Sequence, residues 1–236
     1  MAVPPYLRRE HQKLTPRNFA TATAGKKPGW YEIRNLANNT AEVFVYDEIG
    51  GWGVMAADFV RDLQAIDADS VTVRISSPGG DVFDALAMHA SLHNLDATVN
   101  VVVDGLCASA ATVVAMAGDT VATAPGSMWM IHDAMAVVAG NAADVRQMAD
   151  LLDKTSTNIA DIYAGRAGGS SDDWRTTMQA ETWYTADEAV TAKLADSLTE
   201  SKAPTARTPV VINKHEPPAF VFDADQFRQL VKEAVS

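Results

Sequence analysis

The run SVTVRISS at 70–77 stops at Pro78-Gly79-Gly80, DVFDALAMHASLHNL follows with a helical pattern, and a second apolar run, ATVNVVVDG, fills 97–105. A chain that alternates β-branched runs with helical patterns covers its strands with helices, so this is an α/β domain with a largely buried sheet. The alternation continues on both sides. GWYEIRNLANNTAEVFVYDEI at 29–49 holds two β-type runs separated by Asn38-Asn39, which suits a hairpin turn. Phe59, Val60, Leu63 and Ile66 stand at helical spacing, and SMWMIHD at 127–133 reads as a further strand. Val145, Met148, Leu151, Leu152, Ile159 and Ile162 recur at threes and fours and predict a helix over about 142–165. That is longer than the ~11 residues of an ordinary globular helix, which points to a projecting or inter-subunit element. SSDDWRTTM predicts a short helix with serine as cap and aspartates in its first turn. ADEAVTAKLADSL reads as the last helix of the core.

The ends differ from this core. Residues 1–28 end in AGKKP and read as a flexible arm, 29–200 as one domain, and 201–236 as a proline-containing linker with an amphipathic tail. Phe227, Leu230, Val231 and Ala234 share one helical face of that tail. The formal net charge of −11 argues against nucleic acid and against an anionic membrane surface as partners. A single cysteine forms no internal disulfide and fits a reducing cytosol, and the N-terminal residues lack the apolar stretch of a signal peptide. The longest apolar run, Gly105–Gly118, is too short for a bilayer core of ~30 Å. A cytoplasmic protein is expected.

Three segments hold chemistry. In ISSPGGDVFDA, 75–85, glycines between a strand and a helix let backbone amides face a ligand and stabilise negative charge. In DGLCASAATVVAMAGD, 104–119, small residues surround Cys107 and Ser109; Ala108 and Ala110 leave room for a carbonyl to approach Ser109, and the Ala110 amide would stand beside the attacking oxygen. In MWMIHDA, His132 ends an apolar strand and could accept a serine proton. Each has a plainer reading: an ordinary turn, a helix packed through alanines, a hydrogen-bonded core histidine.

Their order resembles the ClpP family of serine peptidases, the proteolytic subunit of Clp protease. SPGG at 77–80, CASAAT at 107–112, MIHDA at 130–134 and TWYTADEAVTAKLADSL at 182–198 carry the likeness, which covers about 43–198. It implies a ClpP/crotonase-like spiral of ββα units with a projecting handle helix at 142–165. It also implies Ser109 as nucleophile, His132 as general base, and Gly80 and Ala110 as the oxyanion-hole amides. The third triad position, usually aspartate, is Glu181, and Asp187 and Asp173 are the substitutes. A glutamate can hold the imidazole tautomer, with a changed reach. Cys107 reads better as a small buried hydrophobe than as a nucleophile.

The resemblance further implies a homo-oligomeric ring of the kind that family commonly stacks in pairs, acting on protein or peptide substrates with no cofactor. KKPGWYEIRNLANNTAEVFVYDEIGGWG, ISSPGGDVFDALAMHASL and AETWYTADEA are similar to the ClpP-related head-maturation proteases of tailed phages, which implies capsid or scaffold proteins as substrates. The housekeeping alternative is a subunit fed by an ATP-dependent unfoldase. Other classes fit less well: a crotonase-type acyl-CoA enzyme needs no Ser-His pair, and a Ser/Lys peptidase would have to use Lys154 or Lys193, neither in a glycine-rich segment. A catalytically idle ring is the remaining alternative. His89 and His93, four apart with no third ligand in view, read as surface histidines and not as a metal site. Trp52, Trp129, Trp174 and Trp183 read as core or contact anchors.

Overall fold

The computed structural model describes residues 31–36, 39–51 and 53–200. The expected arm at 1–28, the linker and tail at 201–236, and Trp52 lie outside the described residues. Fourteen elements follow in the order β1 (Tyr31–Leu36), β2 (Thr40–Val45), α1 (Ala56–Leu63), β3 (Ser70–Ser77), α2 (Val82–His93), β4 (Thr98–Ala108), α3 (Ala110–Ala115), β5 (Thr120–Thr123), β6 (Met128–Ile131), α4 (Ala142–Ala167), α5 (Ser171–Gln179), β7 (Thr182–Thr185), α6 (Ala186–Thr191) and β8 (Ser197–Leu198).

One eight-stranded sheet runs β1-β2-β3-β4-β5-β8, with β6 and β7 branching from β4. β1 and β2 form the expected hairpin, Leu36 opposite Thr40, and β2, β3, β4, β5 and β8 are parallel. Val71, Val73, Ile75 and Ser77 alternate into the interior from β3, and Val43, Val45, Val99, Val101 and Val103 join them from β2 and β4. Phe59, Leu63, Met88 and Leu92 cover that face from α1 and α2. All six residues of α3 are buried, as a helix apolar on every side must be.

The strand that decides the site is β4. The apolar run expected at 97–105 ends at Gly105, yet the strand continues to Ala108. Opposite β3 the register moves from Ile75–Val103 to Ser77–Cys107, leaving extra residues on β4 between those pairs. Asp104 at this irregularity accepts hydrogen bonds from Arg74 Nε at 2.9 Å, from a second guanidinium nitrogen of Arg74, and from Tyr46 Oη at 2.5 Å. Gly105 fits there because a Cβ would stand 3.0 Å from Ser76 Oγ. Before the kink β4 pairs with β5; after it, Leu106, Cys107 and Ala108 pair with Met128, Trp129 and Met130 of β6.

α4 has 26 residues, about 39 Å at 1.5 Å per residue. Asn141 and Asp144 cap it reciprocally, the Asn141 side chain accepting from the Ala143 and Asp144 amides while Asp144 accepts from the Asn141 amide. Its buried residues begin only at Thr155, so the first half stands clear of the core as a handle. Ser170 caps α5 as expected, with Asp172 and Asp173 in the first turn. The final helix is shorter than its sequence suggests: α6 ends at Thr191, Lys193 turns with φ 61°, and Ser197–Leu198 pairs with β5. Trp129 and Trp174 are core residues, whereas Trp183 is half exposed. Among the described residues, no helix is long and apolar enough to cross a membrane.

Candidate active site

Ser109 is the single residue between β4 and α3, with φ 56° and ψ −128°. That backbone lies outside the regions open to ordinary L-residues and costs of order 1–3 kcal/mol, so the surroundings must hold it. They do so from both sides. The Ser109 amide donates to Met130 O at 2.8 Å, and its carbonyl accepts from the Thr112 amide at 3.0 Å and the Thr112 hydroxyl at 2.5 Å. The Thr112 hydroxyl is paired in turn with Tyr163 Oη of α4 at 2.6 Å. Burial pushes the Tyr163 phenol well up, so it stays a neutral hydroxyl.

The β4–β6 register brings His132 in. With Ala108 opposite Met130, the end of β6 runs beside the serine turn, and His132 Nε2 lies 2.6 Å from Ser109 Oγ. Residues 23 apart in sequence are thus joined by two parallel strands.

The glycine turn closes the third side. A Cβ on Gly79 would stand 2.5 Å from Ala108 O and 2.7 Å from the Ala110 nitrogen, so only glycine allows this approach. Gly80 has φ 142°, and a Cβ there would stand 2.1 Å from Ile49 O. Ile49 holds the turn in place: its amide donates to Gly79 O at 2.7 Å and its carbonyl accepts from the Asp81 amide at 2.8 Å. Asp81 then caps α2 through the Phe83 and Asp84 amides. Among the described residues, neither the Gly80 nor the Ala110 amide donates to a protein acceptor. Gly80, Ser109, Ala110 and His132 line one pocket of about 290 Å³, whose remaining wall is largely apolar.

Cys107 is fully buried between Ser77 and Trp129 in the sheet, and burial pushes its thiol well up, away from the reactive thiolate. Glu181 follows α5 in the left-handed region, φ 49°, with an exposed side chain. β6 and β7 are antiparallel and their pairing ends with Ile131 opposite Thr182, so His132 and Glu181 each adjoin the last pair of that ladder. No hydrogen bond joins the two side chains among the described residues. Asp173 is bonded to Ser170 within the α5 cap, and Asp187 sits in the first turn of α6. His89 and His93 stack with ring centroids 6.0 Å apart on α2.

Sequence reasoning missed one feature beside the site. Asp133, next to His132, is paired with Arg175 of α5 at 3.0 Å. No local pattern signals a pair 42 residues apart.

A Clp protease family model matches residues 25–202. The chain belongs to the Clp protease family. It is 29% identical over 195 residues to the ATP-dependent Clp protease proteolytic subunit of Ligilactobacillus salivarius (strain UCC118), covering 80% of this chain and 97% of that protein. With ATP-dependent Clp protease proteolytic subunit 1 of Chlamydia abortus (strain DSM 27085 / S26/3) it shares 31% over 152 residues, 61% of this chain and 79% of the relative. The structure of a ClpP1 point mutant from Listeria monocytogenes superposes with a TM-score of 0.60 over 68% of this chain and 92% of that one, at 23% identity. The Clp-family chain therefore has the ClpP-like α/β fold, in a family of peptidases.

Proposed function

We propose that this Clp-family chain is a serine endopeptidase with Ser109 as nucleophile, His132 as general base and Glu181 as the acid behind it. The observation that carries the reading is the 2.6 Å approach of His132 Nε2 to Ser109 Oγ at a strained strand-to-helix turn. Ser109 Oγ attacks the scissile carbonyl carbon while its proton passes to Nε2. The Gly80 and Ala110 amides receive the oxyanion, which costs little because neither has another acceptor to leave. Collapse expels the amine, protonated by His132, and water then hydrolyses the acyl-serine by the same steps reversed. Glu181, which like His132 adjoins the last β6–β7 pair, accepts from Nδ1–H once its carboxylate turns toward the imidazole. The apolar wall formed by Val82, Phe83, Val113 and Ile159 favours an apolar substrate side chain next to the cleaved bond.

The working form is a homo-oligomeric ring in the cytoplasm, whose substrates are capsid or scaffold proteins of an assembling phage head. Support comes from exposed Val145 and Leu151 on the handle, from exposed Met135 and Val137 in the segment before it, and from 34 residues beyond the family match that ends at 202. The names of the curated relatives favour a second reading, a proteolytic subunit fed by an ATP-dependent unfoldase. Purified chain given capsid and scaffold precursors, or a folded tagged protein plus unfoldase and ATP, separates these two.

Labelling with a fluorophosphonate and mapping the adduct tests the chemistry. The adduct is expected on Ser109, lost in His132→Ala, and Ser109→Ala should lower kcat on the order of 10⁴-fold or more. Full peptidase activity in Ser109→Ala overturns the assignment, and an intact ring with no adduct makes this an assembly ring without catalysis.

A further inference from the structure

Beyond Ile131 the ladder of β6 ends, so His132 is not held by strand pairing on its far side. Two tethers grip the chain just after it. The Ala134 amide donates to the buried Ser156 hydroxyl of α4 at 2.9 Å, and the Asp133 carboxylate accepts from Arg175 Nη2 at 3.0 Å. The same guanidinium donates to Asp153 O at 2.9 Å, Thr157 Oγ1 at 3.2 Å and Asp153 Oδ1 at 3.2 Å on α4. One side chain thus ties the base-bearing segment to the handle helix, from within the helix that ends just before Glu181. Arg175 is 16% exposed and Asp133 29%, so water screens their pair only in part.

The pair is incomplete. Asp133 Oδ1 and Arg175 Nε are both buried without a partner. A guanidinium meets a carboxylate side-on through Nε–H and Nη–H, one to each oxygen, and this pair makes only one of those bonds. The two idle atoms are one donor and one acceptor, the kinds that a side-on pair joins.

We propose that Arg175, through Asp133, is a positioning residue that sets His132 against Ser109. The inference rests on reading Ser109 and His132 as the catalytic pair. In Arg175→Met, kcat and the rate of fluorophosphonate labelling should fall about 10²-fold with KM unchanged, the cost of a base displaced by about an ångström. Asp133→Ala reaches the same bond from the other side and should match it; the double variant should be no worse than either single one. Arg175→Lys should recover little, since an ammonium lacks the fork. Asp153→Asn, which disturbs only the handle side, should keep the wild-type kcat.

Wild-type kcat in Arg175→Met, or a loss no larger than its loss of folded protein in thermal melts, overturns the proposal. If the wild type itself does not label at Ser109, the catalytic reading fails instead. A crystal structure of Arg175→Met still decides the positioning claim: an Nε2–Oγ separation kept at 2.6 Å refutes it, and a displaced ring upholds it.

Discussion

Gly79 and Ser109 are packed so closely that a Cβ on the glycine would stand 2.8 Å from the serine Cβ. The φ of 89° at Gly79 adds a second penalty for any side chain. Backbone lies on both sides of the contact, so nothing flexible can yield. Gly79→Ala is therefore expected to lose fluorophosphonate labelling of Ser109 and to destabilise the fold by about 1–3 kcal/mol, as overpacking does. Labelling and thermal melting on the same sample check it; a labelled, wild-type-like Gly79→Ala would mean that the glycine turn does not shape the serine elbow.

Cys107 stands two residues before Ser109 but points its chemistry elsewhere. It is fully buried and burial pushes its thiol up, so almost no thiolate exists at neutral pH. Native protein should resist iodoacetamide, and unfolded protein should react fully. Cys107→Ala should keep peptidase activity while losing of order 1 kcal/mol in stability for the missing sulfur contacts. Loss of activity on alkylation of folded protein would bring the cysteine back into the mechanism.

The sequence exposes what is local and hides what the sheet decides. β3 spans 70–77 as its alternation predicts, and α4 runs Ala142–Ala167 against an expected 142–165, because its periodicity is carried by its own residues. β5 is only four residues long, and its pairing with β4 makes it a strand. β7 buries no complete face and exists through its pairing with β6. The Ser109–His132 approach could be expected only from the order of motifs, since its physical cause is the β4–β6 register beyond the Asp104 kink. The Arg175–Asp133 pair had no sequence signature because helix α5 would read the same without it.

His89 gives the fold a pH dependence of known sign. Burial first, and the neighbouring His93 charge second, hold its imidazole below the ordinary value. Between the folded and unfolded values the unfolded chain binds more protons, so stability falls as pH drops through that window. The contribution is complete above the unfolded value of about 6.5. The drop in thermal midpoint from about pH 7.5 to about pH 5 should be smaller in His89→Gln than in the wild type. Parallel curves for the two proteins would show that His89 does not titrate with unfolding.

Glu181 occupies a left-handed position, φ 49°, just after the α5 cap residue Ala180, where glycine or asparagine is the usual occupant. A glutamate there carries strain of order 1 kcal/mol that no bond of its side chain offsets among the described residues. A use for the carboxylate at the end of the β6–β7 ladder, which His132 also adjoins, would offset that strain. Glu181→Gly should then leave stability unchanged or raise it by up to about 1 kcal/mol while kcat collapses. Glu181→Gln, which preserves shape but not charge, should lower kcat on the order of 10⁴-fold if it holds the imidazole tautomer as a triad acid does. Melting curves paired with peptidase assays read both effects at once. Wild-type kcat in Glu181→Gln would leave Ser109 and His132 as a dyad, and an unstable Glu181→Gly would mean that the side chain serves the fold instead.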